Sequence, residues 1–585
     1  MSSNSQFVIP FEERHWWKEA IVYQIYPASF CDGNGDGWGD IKGITSKLPY
    51  LAQLGVNVIW LCPIYKSPQH DMGYDISDYK ALHEPYGTME DWEEMLETCH
   101  KHGMKLVHDL VVNHCSSEHE WFKESRSSLD NPKRKWFHWA KGKTGPNGEK
   151  LPPNNWRSVF GSGSAWEYDE PTDEWYLHLF VKEQPDLNWE EVDVREAVYD
   201  VMKFWMDKGI DGWRMDVINL ISKVPGYPDA PITHPGHKFQ PGFEYCANGP
   251  RIHEFLQEMN AKVLSHYDVL TVGETPFTHD PKVLIDFVRS NELRMTFNFE
   301  LHDVDADPSS VLEPKKIQLT DLKKIHEKWQ VAMYEGNGWN SVYFGNHDQA
   351  RLISRFASDV GENRARSAKL LALNQLTLSG TIYVYQGEDI GMCNVPHDWG
   401  MEEYIDVASI QWVEGIKQKR IEETGQENPD VSDLVAKLRA KGRDNGRTPM
   451  QWDTSANAGF TTGKPWMRIH DDYKEWNVEV QSKDPKSVNS FYKQLLKVRK
   501  DNLVMTYGDF KVLDFENQQV FAYLKAYQGT QLLVVLNFSN DQQTFSIDEA
   551  VDTSNAKLLI GTMDKGEIKD GKIALEAWEG IAFTL

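Results

Sequence analysis

Between residues 41 and 54 apolar positions recur at helical spacing, Gly55 interrupts them, and residues 56–61 read as a nearly unbroken apolar run. A helix closed by glycine and followed by a buried, parallel-type strand accounts for that order. The unit repeats. A helical pattern over 89–102 leads into the strand-like run 105–114. Another, with Val194, Val198, Val201 and Trp205 on one face and Asp193 and Glu196 in capping positions, stops at Gly209 before a run over 209–217. The β-branched and aromatic stretch 20–30 supplies a strand ahead of the first helix, and 269–274, 295–299, 341–348 and 381–386 supply four more. Strands alternating with helices in this way predict an α/β fold, a (β/α)8 TIM barrel with its active site at the C-terminal strand ends.

Two stretches break the alternation. Residues 116–189, rich in Pro, Gly, Asn and Trp, far exceed the roughly 2–6 residues of an ordinary barrel loop. They predict a loop-rich inserted domain after the third strand, overhanging the site. Residues 389–465 predict a second, helical insertion that ends in the polar stretch 442–452. After a helix around 491–499 the period becomes two, at 519–524, 531–538 and 580–585, as an antiparallel β domain requires. The chain thus divides into a barrel (1–115 and 190–510), an inserted domain (116–189) and a C-terminal β domain (511–585).

Polar residues collect where a barrel places its chemistry. Asp109, Asn113 and His114, then Arg214 and Asp216, then Glu274, then His347 and Asp348 all fall late in, or just after, separate strands. Along 209–217 the strand period puts Gly212, Arg214 and Asp216 on one face and Trp213, Met215 and Val217 on the other. An arginine two residues from Asp216 is expected to keep that carboxylate ionised at low proton affinity, as a nucleophile needs; a purely structural ion pair is the alternative. Three acids on three strand ends, with two histidines and an arginine, suit cleavage of an acetal through an oxocarbenium-like transition state. Metal-assisted hydrolysis competes for such a cluster, but no H-x-x-E-H type spacing occurs.

A formal net charge of -26 disfavours phosphate backbones and anionic membranes and points to a small neutral substrate. The 22 tryptophans suit sugar stacking as well as they suit a large core. Cys31, Cys62, Cys99, Cys115, Cys246 and Cys393 lack C-x-x-C spacing and read as isolated, reduced thiols. No basic segment followed by an apolar core opens the chain and no run of 18 apolar residues occurs, so a cytoplasmic protein without a membrane anchor is expected. The N-x-S sequon at Asn537 lies in an apolar run. Asp32, Asn34, Asp36 and Asp40 space oxygen ligands between glycines. The loop begins like an EF-hand, but the closing glutamate would fall at Gly43, so a different Ca²⁺-type loop is expected, with an ion-free Asx-turn loop as the alternative.

With Asp109-Leu-Val-Val-Asn113-His114, Gly212-Trp213-Arg214-Met215-Asp216, Glu274 after Thr-Val-Gly, Asn346-His347-Asp348 and Gln184-Pro-Asp-Leu-Asn188, the chain closely resembles the α-amylase superfamily of glycoside hydrolases. Gln184-Pro-Asp-Leu-Asn188, Asp71-Met-Gly-Tyr74-Asp75 and Arg447-Thr-Pro-Met-Gln-Trp452 look like its oligo-1,6-glucosidase subfamily, nearest to yeast isomaltases and maltases, over residues 16–585. The resemblance implies Asp216 as nucleophile, Glu274 as acid/base and Asp348 as transition-state stabiliser, with retention of configuration. It implies that Asp71 and Arg443 hold the non-reducing end, and that Tyr74, His114, Phe180, Gln184, Arg214 and His347 contact the first sugar. The loop Asp32, Asn34, Asp36, Trp38 and Asp40 resembles the subfamily's structural calcium site. A valine after the nucleophile goes with α-1,6 cleavage and a threonine with maltose preference; Val217 stands there, although alternation points it away from Asp216 unless the strand bends. Sucrose isomerases carry an Arg-Leu-Asp-Arg-Asp loop where this chain reads Leu301-His-Asp-Val-Asp-Ala306. The non-catalytic barrel subunits of amino-acid transporters need a transmembrane segment. A monomeric α-glucosidase acting on short α-glucosides is therefore the expectation.

Overall fold

A strand that is apolar on both faces has no place in a sheet that meets water, so it must be covered on both sides. In the computed structural model, which describes residues 5–161, 163–307, 310–563 and 565–585, strands of this kind form one parallel sheet. They are β1 Ile21–Ile25, β2 Val58–Leu61, β3 Lys105–Val111, β4 Gly212–Asp216, β5 Leu270–Glu274, β6 Met295–Phe297, β7 Ser341–Tyr343 and β8 Thr381–Tyr385. The order runs from β6 down to β1 and on through β8 to β7. A parallel bridge between Thr296 and Asn340 joins its two edges, closing a barrel.

One helix follows each strand: α1 Ile41–Leu54, α2 Met89–Lys101, α3 Val192–Asp207, α4 Ile252–Lys262, α5 Pro281–Phe287, α6 Leu319–Glu335, α7 Asn363–Thr377 and α8 Val488–Asp501. Their apolar stripes pack on the barrel, as Leu48, Leu51 and Leu54 of α1 do. Gly55 takes φ 109° behind α1 and Gly209 φ 105° behind α3, left-handed positions that glycine fills without strain.

The strands end earlier than their sequence runs. The stretch expected at 209–217 is strand only over Gly212–Asp216, that at 341–348 only over Ser341–Tyr343, and that at 105–114 stops at Val111. Past these ends the chain bends, so that His114, Val217, His347 and Asp348 stand beyond the strands while Asp109, Arg214 and Asp216 remain on them. The capping expectation for α3 also changes: Glu191 is its N-cap, without a side-chain bond, and Asp193 lies in the first turn. There its charge still favours the N-terminal end of the helix dipole.

Between β3 and α3 the chain builds a three-stranded antiparallel sheet from Trp139–Ala140, Glu174–Leu177 and Trp166–Asp169. This lobe is tied to the barrel by the bridge His114↔Asp186 and by the buried pair Lys223–Asp186 at 2.7 Å. After β8, helices Val407–Thr424 and Ser432–Lys441 pack through Val413, Leu434 and Leu438. The C-terminal sheet is antiparallel, in the order Lys511–Leu513, Val520–Tyr527, Thr530–Asn537, Gly580–Thr584, Lys557–Gly561. Asn537 is buried, its amide donating to the carbonyls of Asp541 and Glu576, so the sequon is closed to a glycan. All six cysteines are free and buried. Among the described residues no helix is long and apolar enough to cross a membrane.

Arg499 of α8 secures the junction with the C-terminal sheet. It is 4% exposed and donates to the carbonyls of Leu376, Leu378, Gly380 and Met505. Beside it Lys525 donates to the carbonyls of Thr377 and Met505. Arg499→Ala leaves those carbonyls without their shared donor and is expected to cost about 3 kcal/mol or more. The midpoint of urea unfolding should fall accordingly; an unchanged midpoint excludes this role.

Candidate active site

The Arg214 guanidinium is buried inside the barrel mouth at 1% exposure, and a buried cation persists only if it is paired. Its Nη1 donates to Asp109 Oδ1 and to Asp216 Oδ1, both at 2.8 Å, and its Nη2 to Glu274 Oε2. These partners come from β3, β4 and β5, which are adjacent in the barrel. Arg214 and Asp216 share a face of β4, as the strand period requires. The Trp60 ring lies 5.2 Å from the guanidinium and the Tyr74 ring 5.7 Å.

One arginine cannot neutralise three carboxylates. Burial pushes Asp109 up to about 6 against the pull of Arg214. It pushes Asp216 well above the usual carboxylate range, again against Arg214, with the charges of Glu274 and Asp109 adding to the rise. Arg214 was expected to lower the proton affinity of Asp216; burial and the neighbouring carboxylates instead raise it against the pull of the cation.

A second network faces the first. Asp348 Oδ1 accepts from Arg443 Nη1 and Arg447 Nη2, both at 3.0 Å, and Oδ2 lies 3.1 Å from His347 Nε2. Burial alone would raise the Asp348 carboxyl, but His347, Arg443 and Arg447 hold it well below its ordinary value. Arg443 Nη2 also reaches Asp71 Oδ1 at 3.1 Å; burial lifts Asp71 to about 6, with Arg443 opposing. Burial pushes His347 down to about 3, with Asp348 opposing, and His114 to about 4. Gln24 Nε2 lies 2.8 Å from His347 Nδ1; because the amide nitrogen donates, the imidazole proton sits on Nε2.

Tyr74 joins the networks. Its hydroxyl donates to Asp109 Oδ2 at 3.1 Å, and its ring lies parallel to that of His347, 5.2 Å between centroids. Gln184 of the inserted lobe donates to Asp71 Oδ2 at 3.2 Å and to the Tyr74 carbonyl at 3.1 Å, which His114 Nε2 also approaches at 3.1 Å. Phe180 lies 5.2 Å from His114 and 5.4 Å from Phe160. Every sequence-singled residue of the catalytic and sugar-binding sets thus falls in or beside these two networks.

Val217 sits at the bend. Its φ of 35° breaks the strand immediately after Asp216, so alternation no longer governs its direction. Its N–H donates to Glu274 Oε2 at 3.2 Å, and its side chain packs in an apolar cluster with Trp156, Trp166, Leu179 and Leu220. Three further residues belong to the site. Arg447 lies in the same polar stretch as Arg443, and its motif marks it. Phe160 places its ring 4.8 Å from the Arg443 guanidinium. Asp406 Oδ1 accepts from both arginines. Nothing in the sequence separates Phe160 from other loop aromatics, or Asp406 from other helix-capping aspartates.

The loop of Asp32, Asn34, Asp36, Trp38 and Asp40 is closed largely by its own backbone. Asp32 accepts from the N–H groups of Asn34, Gly35 and Gly37, and Asp40 from those of Gly33, Asn34 and Gly43. Asn34 and Asp36 form side-chain turns to the N–H groups of Asp36 and Trp38. The all-oxygen donor set suits a hard cation. Among the described residues, however, no group of three His, Cys, Asp or Glu side chains converges closely enough to hold one.

The model of the α-amylase catalytic domain matches residues 24–508, and that of the α-amylase SusG C-terminal domain matches residues 520–581. The oligo-1,6-glucosidase of Parageobacillus thermoglucosidasius is 50% identical, over 98% of this chain and 99% of that one. The α-glucosidase of Candida albicans is 47% identical over 98% of this chain and 100% of its own. Among solved structures, trehalose-6-phosphate hydrolase from Bacillus licheniformis superposes with a TM-score of 0.89 at 43% identity, covering 98% of this chain and 100% of that one. Fold, motif residues and full-length similarity agree: the chain belongs to the α-amylase family of glycoside hydrolases.

Proposed function

We propose that the protein is a retaining, exo-acting α-glucosidase that releases α-glucose from the non-reducing end of short α-glucosides, α-1,6-linked ones foremost, with maltose and sucrose as further substrates. The observation that carries this reading is the geometry of the barrel mouth, where Arg214 holds Asp216 and Glu274 from adjacent strand ends and Arg443 and Arg447 hold Asp348. Arg214 engages one oxygen of Asp216 and leaves the other for attack on the anomeric carbon. Glu274, acting as general acid, gives a proton to the glycosidic oxygen as the bond to the aglycone breaks. A glucosyl ester on Asp216 forms, and water, deprotonated by Glu274, displaces the carboxylate with a second inversion. Asp348 grips sugar hydroxyls as charge develops on the ring, and its anionic state favours the oxocarbenium-like transition state. The buried thiols and the lack of a membrane-crossing helix among the described residues support a cytoplasmic enzyme, proposed here as a monomer.

Asp216→Asn and Glu274→Gln should each lower hydrolysis by a factor of roughly a thousand or more with the fold intact, because an amide neither attacks nor donates as required. Azide should partly restore turnover to Asp216→Gly. NMR of the first product should show α-glucose; initial β-glucose excludes the assignment.

The linkage preference rests on Val217, beside both Asp216 and Glu274. A hydrocarbon there offers no hydrogen bond to the aglycone, whereas a threonine hydroxyl of the same shape does. Val217→Thr should raise kcat/KM for maltose relative to isomaltose by about 1 to 3 kcal/mol in relative transition-state energy. Equal preferences in both proteins, measured on both disaccharides, count against Val217 as the determinant.

We also propose that the Asp32–Asp40 loop takes up Ca²⁺ as a structural ion, on the strength of its oxygen donors. Asp32, Asn34, Asp36, Trp38 and Asp40 would hold it once Asp32 and Asp40 turn from the backbone N–H groups they now accept from, and its effect would be on stability rather than chemistry. Chelation should lower the melting temperature while leaving the pH profile unchanged. Desalted protein without calcium, and no thermal shift on chelation, exclude it.

A further inference from the structure

The carboxylate that holds Arg443 and Arg447 from behind belongs to neither the barrel nor the inserted lobe. Asp406 is the N-cap of helix Val407–Thr424, the first helix of the insertion after β8, and is 1% exposed. Its two oxygens are divided between two tasks. Oδ2 accepts from the N–H of Ser409 at 3.0 Å and from its hydroxyl at 3.1 Å, as a cap does. Oδ1 faces the pocket, with Arg443 Nη2 at 2.6 Å, Arg443 Nε at 2.9 Å and Arg447 Nη1 at 3.1 Å. Asp406 is itself fixed: Asp444 Oδ1 accepts from the N–H groups of Ile405 and Asp406, at 2.9 and 3.1 Å.

The two arginines therefore lie between two aspartates, Asp406 behind and Asp348 in front. Without Asp406 both guanidiniums would have Asp348 and Asp71 as their nearest anions, and the second oxygen of Asp348 would be drawn into the ion pairs as well. We infer that Asp406 is a positioning residue of the sugar pocket: by holding Arg443 and Arg447 back it confines their pairing with Asp348 to Oδ1 and leaves Oδ2 to hold a hydroxyl of the first glucose unit. The helical insertion is thereby part of the binding site through its capping residue. This rests on the α-glucosidase reading for its substrate, while its geometry can be tested without it.

Asp406→Asn separates the two tasks, since an amide oxygen still caps the helix while the anion between the arginines is gone; Asp406→Ser does the same with a hydroxyl. Val413→Ala loosens the packing of the same insertion without touching a charge. Both Asp406 variants are expected to raise the inhibition constant of free glucose at least tenfold and to lower kcat/KM for isomaltose by as much. Val413→Ala should lower the melting temperature yet keep both constants within twofold of wild type. Crystal structures of the Asp406 variants should show Arg443 or Arg447 displaced toward Asp348. The inference is overturned if both arginines keep their places, if glucose affinity is unchanged, or if Val413→Ala loses as much affinity as Asp406→Asn. A wild-type protein that cleaves no α-glucoside overturns the activity reading instead, and the displacement of the arginines then decides the inference alone.

Discussion

A guanidinium removed from water must be surrounded by anions, and the arrangement of the pocket depends on how many anions each arginine receives. Arg214 has three: Asp109, Asp216 and Glu274. Arg443 and Arg447 share three between them: Asp71, Asp348 and Asp406. The first group carries an excess of acid in a dry environment, which raises the proton affinity of Asp109 and Asp216. The second is nearly balanced and keeps its front carboxylate ionised. Glycoside cleavage needs both conditions within one sugar ring's width, a mobile proton at the bond that breaks and a fixed negative charge beside the ring. The barrel meets the first requirement by placing three adjacent strand ends around one side chain.

The strands were legible because burial on both faces writes an unbroken apolar run, and the helices because their apolar positions recur at helical spacing before a closing glycine. The strand ends were not, since a polar residue after such a run reads the same whether it continues the strand or bends away. Val217 shows the consequence. Alternation assigns it to the face opposite Asp216, but its left-handed backbone takes it out of the pattern. The proton affinity of Asp216 was misread for a related reason. The sequence shows Arg214 two residues away, but not the burial that raises Asp216, nor Glu274 and Asp109, which arrive from other strands and add to the rise.

Arg443 was reached through the family resemblance, and Arg447 stood in one of the motifs that carry it. Asp406 had no such mark. An aspartate ahead of a helix is ordinary as a cap, and only the folded chain shows that its second oxygen faces two arginines, 37 and 41 residues further along. Long-range charge pairing leaves no periodic trace, so the parts of a site that depend on it are the parts sequence reasoning misses.

The same pairing bears on the proposed action at chain ends. Arg443 spans the pocket between Asp71, on the loop after β2, and Asp406, on the insertion after β8, with the Phe160 ring against it. Gln184 of the inserted lobe closes the remaining gap to Asp71. A glucan continuing beyond the non-reducing end of the first sugar would have to part these charges in a site already stripped of water. Leaving a buried charge without its partner costs about 3 to 5 kcal/mol, more than the roughly 1 to 3 kcal/mol that one additional pocket contact returns. A chain threaded through the pocket is therefore excluded by electrostatics as much as by shape, and the three elements outside the barrel that meet at Arg443 turn a general acetal-cleaving site into one that accepts a single terminal glucose.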